Sequence, residues 1–573
     1  MKRVTGICSI GLIVLLAAGV NPAAAQWPDD PAVNLAIADN GSGDQSVPKV
    51  ATEQGGGCYV GWYDNSRTGN YDVYLQRLDE TGTEMWPHNG ICISNHPQNS
   101  WLTDWDLIAD SQGNCILAFN DIRDGADWDI FVYKIDSDGN QLWGSDGQAV
   151  SAGDALDEVT PSLAEASDGD IVVAWCRMEA PGAIRMQRLA PDGTWRFPTG
   201  PISVVVGSGT AVPAFPDVIP SLNGDVIVSY VRDISSYASP RHFLAQRFSP
   251  AGAAVWASTV GIMDDTSLPM GYQPTIQPDG FGGLVTAWHR SPGSYFSSLV
   301  QHVDAQGVEL WAHNGILVST QGAQHIIDPA YCYDPAESLL YVFWNQRNAN
   351  QTAWGIYGQK MTSAGARAWT DLGLMVLPVN TTYKSFPRVL QCGSDAILFV
   401  AEGSSVAAQL IGRRITPAGS DAWPAPVTVS SYPSSKSRLP VTINGSGMSV
   451  IIWEDERSGN ADVYGQNLNA DGTLGVESTL PAPVITSITA VGGTVYIVWN
   501  PVPGALSYQM QSSVNPYAAF ATDETGVFAD TTWSALPNGE TRFYRVSAVA
   551  DPEVSDPSNV VGYEQFTVED GPN

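Results

Sequence analysis

Positive charge is scarce in this chain: 27 Lys+Arg stand against 59 Asp+Glu, for a formal net charge of -32. Such a surface repels phosphate backbones, which argues against nucleic acid as a partner, and it suits a chain exposed to the outside medium. Long apolar runs are missing after residue 25, so no transmembrane segment is expected. The first 25 residues read as an export signal, with Lys2 and Arg3, the apolar stretch Ile7 to Val20, and Ala23-Ala-Ala25 before Gln26. The expected location is therefore secreted, in the periplasm or at the cell surface. Cysteine is sparse. Cys58, Cys92, Cys115, Cys176, Cys332 and Cys392 remain beyond the leader, too irregularly spaced for a zinc site or a redox pair. Buried free thiols are the default reading, and an oxidising compartment also permits a bridge such as Cys92 to Cys115 or Cys332 to Cys392. The seven histidines do not cluster, and Gly-x-Ser-x-Gly, His-Glu-x-x-His and phosphate-loop motifs are absent. Neither a cofactor nor a specific activity follows from such a chain. With 15% charged and 44% hydrophobic residues the composition is still that of a folded protein, not a disordered acidic one.

What the chain does have is repetition. Trp453-Glu-Asp-Glu-Arg-Ser-Gly-Asn-Ala-Asp-Val-Tyr-Gly-Gln466 nearly copies Trp62-Tyr-Asp-Asn-Ser-Arg-Thr-Gly-Asn-Tyr-Asp-Val-Tyr-Leu-Gln76. Weaker copies lie between them at Phe119, Trp175, Tyr230, Trp288 and Trp344, with a degenerate one around Val400 to Gln409. Each unit runs through a proline-bearing segment, an apolar strand ending in an aromatic, the motif loop, a third strand, a glycine turn and a final strand. Four short strands per unit predict an all-β fold, and the unbroken apolar second strand predicts cover on both its faces. The turn glycines Gly82, Gly139, Gly193, Gly252, Gly307, Gly365, Gly419 and Gly472 set a period of 53 to 59 residues. A radial β-propeller over 26–480 is the expected solution, with eight blades and seven as the alternative. Unit eight lacks a tryptophan-led fourth strand, while Val33 to Ala38 is an orphan strand upstream of unit one. The orphan is expected to complete the last sheet.

Six of the glycines open Gly-x-x-x-Trp, as in Gly82/Trp86 and Gly307/Trp311, and the third unit shortens this to Gly193-Thr-Trp195. The pattern resembles the tryptophan-docking motif of eight-bladed quinoprotein-type propellers. In that family an aspartate precedes the glycine and the indole docks between blades. In Asp79-Glu-Thr-Gly82 the aspartate stands one residue closer. The resemblance implies architecture and not quinoprotein chemistry.

From Pro481 the grammar changes. Trp499-Asn-Pro-Val-Pro-Gly-Ala-Leu-Ser-Tyr508, Leu536-Pro-Asn-Gly and Phe543-Tyr-Arg-Val-Ser-Ala-Val549 strongly resemble a fibronectin type III module. That implies an immunoglobulin-like β-sandwich over 481–566 with a core tryptophan, followed by a tail 567–573. Arg542 stands where the usual corner tyrosine would be.

Candidate binding residues collect in the loops after the second strand, which open on one rim of the propeller: Asp64, Arg67 and Asp72; Asp121, Arg123 and Asp124; Arg232 and Asp233; Asp455, Arg457 and Asp462. Such a rim could meet a sugar, a peptide or calcium; alternatively each pair ties down its own loop. Calcium is considered because Asp121 to Asp129 holds four aspartates, although no Asp-x-Asp-x-Asp-Gly loop is present. The aromatics Trp101, Trp105, Trp128, Tyr237, Tyr295, Phe296 and Trp354 could stack on sugar rings or plug the spaces between blades. The expected function is a non-catalytic binding or surface-scaffold protein contacting an extracellular protein or glycan. The alternative is a glycan-binding or carbohydrate-active, glycosidase-like propeller.

Overall fold

A computed structural model describes residues 26–563 except 54, 99–103, 124–126, 152–154, 179–181, 208–212, 235–239, 292, 477–479, 492, 517–519, 537–540, 551–552 and 556. The leader, Trp101, Asp124, Tyr237 and the tail lie outside the described residues. Two compact units are present, one up to Gly475 and one from Val476.

The first unit is a β-propeller. Its first sheet pairs Gln45–Thr52, Cys58–Asp64, Asp72–Leu78 and Ile91–Ser94 in that order. Six further four-stranded antiparallel sheets follow over 106–149, 158–206, 213–263, 276–317, 325–380 and 383–434. We number these sheets blades 1 to 7. Blade 8 is built from 436–468 plus Leu35–Ala38, which pairs antiparallel with Asp462–Leu468. The inner strand of every blade packs on the blade before it, and that of blade 1 packs on blade 8. The second strands are buried through their middles, and Cys58–Asp64 along its whole length, because sheets cover both faces. Blade 7 is a complete sheet; its degenerate motif reflects a tight hairpin in which Ser404 pairs with Ala407, leaving no room for an acid-arginine loop.

The glycine turns show why the period is kept. All eight glycines have φ between +77° and +94°, a region that side chains with a Cβ rarely adopt. Each turn also lies under an aromatic from the preceding blade: Trp86 over Gly139, Trp256 over Gly307 and Trp423 over Gly472 are examples. The indole N–H of Trp143, Trp256, Trp311, Trp369 and Trp423 then donates to the carbonyl two residues before the glycine, as Trp256 does to Ala305 at 3.0 Å and Trp369 to Pro417 at 3.2 Å.

Two details differ from the sequence reading. In blade 3 the docked residue is Phe197, which sits on Gly252, and not Trp195. The four-residue spacing from Gly193 is therefore kept with a phenylalanine in place of the tryptophan. At the seam, Trp27 packs on Gly82 and its backbone N–H donates to Thr81 at 2.9 Å. Gln76 donates to the Pro87 carbonyl after Trp86, and Gln466 donates in the same way to the Pro28 carbonyl after Trp27. Blade 8 thus borrows its docking tryptophan as well as a strand.

The inner strands carry a β-bulge at each pre-proline position of blades 1, 3, 4, 6 and 7. Val47, Thr160, Phe215, Asp328 and Phe386 there have φ of 52–54°. Proline lacks an N–H, and the extra residue of a bulge is unpaired anyway, so this position loses no ladder bond. The previous blade catches the bulge amide in two cases: Val47 N–H donates to Glu454 at 2.6 Å and Asp328 N–H to His289 Nδ1 at 3.2 Å.

A histidine clamps the seam from outside. His88 Nδ1 lies 3.0 Å from Glu84 and Nε2 2.8 Å from Asp39, the residue after the borrowed strand. The Glu84 hydrogen bond, followed by that to Asp39, raises the His88 pKa to about 9. His313, Glu309 and Asp264 repeat the arrangement between blades 5 and 4. A raised folded-state pKa stabilises fully below the unfolded value of about 6.5 and ceases to do so as pH rises through about 9. The urea midpoint of His88→Gln is therefore expected to fall short of the wild type at pH 6 and to match it by about pH 10.

The second unit is a two-sheet sandwich. Ile485–Val491, Thr494–Trp499 and Thr532–Ala535 form one sheet. Ala521–Phe528, Ser507–Ser513 and Arg542–Ala550 form the other, which Glu553–Val554 and Val561–Tyr563 extend. Trp499, Tyr508, Trp533 and Tyr544 fill the core between them. Arg542 donates to Ser512 at 3.2 Å. The six described cysteines are free thiols, five of them buried and Cys92 exposed.

Candidate functional site

The acid-arginine residues of the rim are placed in separate blades, and their contacts are local. Asp64 accepts from Ser66 N–H at 2.8 Å and from Asn40 at 2.9 Å. Arg67 pairs with Asp72 at 2.8 Å. Arg123 pairs with buried Asp121 at 2.6 Å and lies 3.4 Å over the Phe131 ring. Arg232 is the last residue but one of the strand Val226–Asp233, opposite His242. Arg457 pairs with buried Asp455 at 2.7 Å and covers Tyr464, and Asp462 accepts from Ser458. Arg67 lines a cavity of about 450 Å³ between blades 1 and 2, with Tyr74, His96 and Asp146. Among the aromatics, Trp105 is buried and donates to the Val47 carbonyl at 2.9 Å, and Trp128 donates to the Gln98 carbonyl. Both fill space between strands. Tyr295 and Phe296 pack on His325, and Trp354 meets Tyr383 edge-on at 5.4 Å. These three share one sector.

That sector holds a cavity of about 360 Å³ at the axial channel. Tyr272, Gln273 and Thr275, just before the inner strand of blade 5, form one side. The bulge Asp328-Pro329 and Arg347 of blade 6 form the floor, and Tyr383, Ser385, Phe386 and Arg388 of blade 7 close it. The bulges turn Asp328 and Phe386 into the wall.

Behind the wall, His289 packs on Tyr272 with ring centroids 4.0 Å apart and planes tilted by 44°. Burial pushes the His289 pKa down to about 4, so the ring is neutral near pH 7. Because Nδ1 accepts the Asp328 N–H, the proton of the neutral ring sits on Nε2. Burial also raises the Tyr272 hydroxyl well above its ordinary range. Arg347 donates to Asn345 at 2.9 Å and lies 3.5 Å from Asp328. Arg388 differs. Its Nε donates to the Leu439 carbonyl and its Nη1 to the Pro387 carbonyl, both at 3.0 Å. No carboxylate of the described residues lies within ion-pair reach of it. Burial lowers its pKa, opposed by Asp328, yet a guanidinium stays charged in any protein setting.

A second cavity of about 170 Å³ shares Gln273 and Thr275 with the first and is lined by Lys49, Asp104, Asp106 and Asp217. Asp106 accepts from Leu163 N–H at 2.8 Å and Asp217 from Ile276 N–H at 2.7 Å, each joining its blade to the next. Burial first, with Asp106 nearby, raises Asp217 to about 7. The channel is thus acidic on the side of blades 1 to 4 and carries its arginines on the side of blades 6 and 7. A metal ion could be held by the buried carboxylates of Asp127, Asp129 and Glu158, whose oxygens lie within 4.8 Å of one another. Asp127 and Asp129 fall in the aspartate-rich loop seen in the sequence.

No protein-family model matches the chain, and no curated protein does. Among solved structures, an ulvan lyase of a polysaccharide lyase family, bound to -[GlcA(1-4)Rha3S]-, is similar at 9% identity and TM-score 0.44, covering 76% of this chain and 96% of that one. An α-L-arabinanase of Penicillium chrysogenum complexed with arabinobiose is similar at 13% identity and TM-score 0.32, covering 54% and 92%. An Fn3-like protein of Clostridium thermocellum is similar at 21% identity and TM-score 0.14, covering 16% of this chain and 99% of that one. Likeness at these levels carries no argument about activity.

The axial residues escape a reading of the sequence because they are the exceptions to the repeat. His289 follows Trp288 where Tyr63 follows Trp62, and Arg388 stands two residues after a bulge where Lys49, Ser162 and Asp217 stand in other blades.

Proposed function

We propose that the protein is a carbohydrate-binding propeller whose sugar site is the axial cavity of blades 5 to 7, exported and carrying a C-terminal fibronectin type III module. The observation that carries this is a cavity of about 360 Å³ walled by Tyr272, Tyr383 and Phe386 together with Arg347, Arg388 and Ser385. Aromatic faces for the apolar side of a pyranose and convergent polar groups for its hydroxyls are what a small-ligand site requires. The rim residues, by contrast, are occupied with their own loops. We also read the docked indoles as tryptophan-docking repeats that serve architecture. The solved lyase and arabinanase act on glycans, but the reading rests on the cavity.

A glycan array with the mature chain tests the proposal, and it fails if no oligosaccharide binds. Tyr383→Ala is expected to weaken a hit roughly 2- to 13-fold, since an aromatic contact contributes about 0.5–1.5 kcal/mol. The same hits should be assayed for turnover. One observation favours hydrolysis as a second reading: Asp217, raised to about 7 beside the cavity, can exchange a proton near neutral pH. Loss of turnover with binding retained in Asp217→Asn would support that reading, and unchanged turnover would remove it.

A further inference from the structure

We infer that the axial cavity selects an acidic sugar, whose carboxylate or sulfate ester is received by Arg388 with Arg347 beside it. This rests on the carbohydrate reading above and names its substrate class.

The argument starts from charge. In a chain of net charge -32, a buried cation ordinarily has an acid at hand. Arg188 lies 2.7 Å from Asp170, Arg247 2.8 Å from Asp225, and Lys134 2.8 Å from Asp110. Leaving a charge enclosed without a counter-charge is unfavourable, so a protein that keeps one does so where another group supplies the opposite sign. Arg388 is half-buried, and the part of it taken from water has no such partner among the described residues. Two carbonyls hold its Nε and Nη1, which fixes the plane of the guanidinium. Nη2 has no partner among the described residues, and the side chain lines the cavity.

The acid in the same wall does not cancel it. Asp328 is engaged by Arg347 at 3.5 Å and faces His289 at 4.0 Å. Arg347 and Asp328 therefore balance each other, and the charge of Arg388 is in surplus. His289 adds none, being neutral. The remaining acids of the channel, Asp104, Asp106 and Asp217, line the adjoining cavity instead. A planar, pre-oriented fork of donors matches a carboxylate or a sulfate group, and the neighbouring rings of Tyr383 and Phe386 hold the sugar that bears it.

The test is calorimetric titration of the mature chain with three matched oligosaccharide sets: uronate-bearing, sulfate-ester-bearing, and neutral. Wild type is expected to bind an acidic set at least tenfold more tightly than the neutral one, with the preference falling as salt rises from about 0.05 to 0.5 M. Arg388→Gln should remove the preference, bringing affinity for the acidic set down to that for the neutral set. Arg388→Lys should restore part of it. Preference for the uronate set alone assigns the anion as a carboxylate, and for the sulfated set alone as a sulfate ester. Equal affinity for acidic and neutral sugars, or a preference that survives in Arg388→Gln, overturns the inference and leaves the carbohydrate reading standing. If no set binds the wild type, the carbohydrate reading itself falls. The wild-type comparison of sets decides the matter even if an Arg388 variant fails to fold.

Discussion

Trp27→Ala is expected to destabilise the propeller by about 3–5 kcal/mol, the usual cost of truncating a buried tryptophan. Trp27 is 3% exposed although it stands near the start of the described chain. Its ring covers Gly82, where a Cβ would come within 2.7 Å of the indole. It also positions Pro28, whose carbonyl accepts from Gln466 at 2.6 Å. The substitution therefore opens the seam between blades 8 and 1, as well as leaving a cavity. Trp27→Phe should cost clearly less, because Phe197 fills the equivalent place between blades 3 and 4. Urea denaturation followed by circular dichroism reads both variants. A midpoint for Trp27→Ala equal to that of the wild type would show that the ring does not depend on this residue.

The second large effect is expected at Asp455→Ala, again about 3–5 kcal/mol, because it strands a buried partner. Asp455 accepts from the Trp453 indole at 2.8 Å and from Arg457 at 2.7 Å, and lies 3.4 Å from Lys436 Nζ. The side chains of Lys436 and Asp455 are both 0% exposed. Burial alone would raise the Asp455 carboxyl, but hydrogen bonds from Arg457, Ser434 and Trp453 win and lower it. Its contribution is thus present above the unfolded carboxylate value of about 3.9 and lost as pH falls. The Lys436 pKa is lowered too, brought down by burial to about 8. Without Asp455 the buried ammonium is uncompensated, so the deficit of the variant should be greatest at pH 5–7. It should shrink above about pH 8, where Lys436 can lose its proton. The experiment also bears on the rim. A variant that keeps its melting temperature but loses an extracellular ligand would make Asp455 and Arg457 binding residues and not loop ties.

How much of this was legible in the sequence depends on whether a residue obeys the repeat. The glycine turns and the apolar second strands recur eight times, because every blade must solve the same packing problem, so the all-β propeller class could be read directly. Trp27 could not be. It belongs to blade 8 in space but precedes blade 1 in the chain, and no local pattern links it to Gly82. Phe197 was hidden by the nearer Trp195, since composition favours the tryptophan and only geometry shows which ring covers Gly252. The rim residues stood out because charged loops are conspicuous, yet their hydrogen bonds are spent within the blades. The axial cavity depends on side chains drawn from three blades, and the bulges that aim them are marked in the sequence only by a proline.

Borrowing the head of the last sheet from the start of the chain has a consequence for biosynthesis. Residues 27–38 are made before the rest of the propeller, but Asp462–Leu468, to which Leu35–Ala38 pairs, is made more than four hundred residues later. At about 5–20 residues per second, that apolar segment waits roughly 20–85 s without its partner. Whatever shields it over that interval, whether a chaperone or delayed transport, governs the yield of correctly sealed molecules.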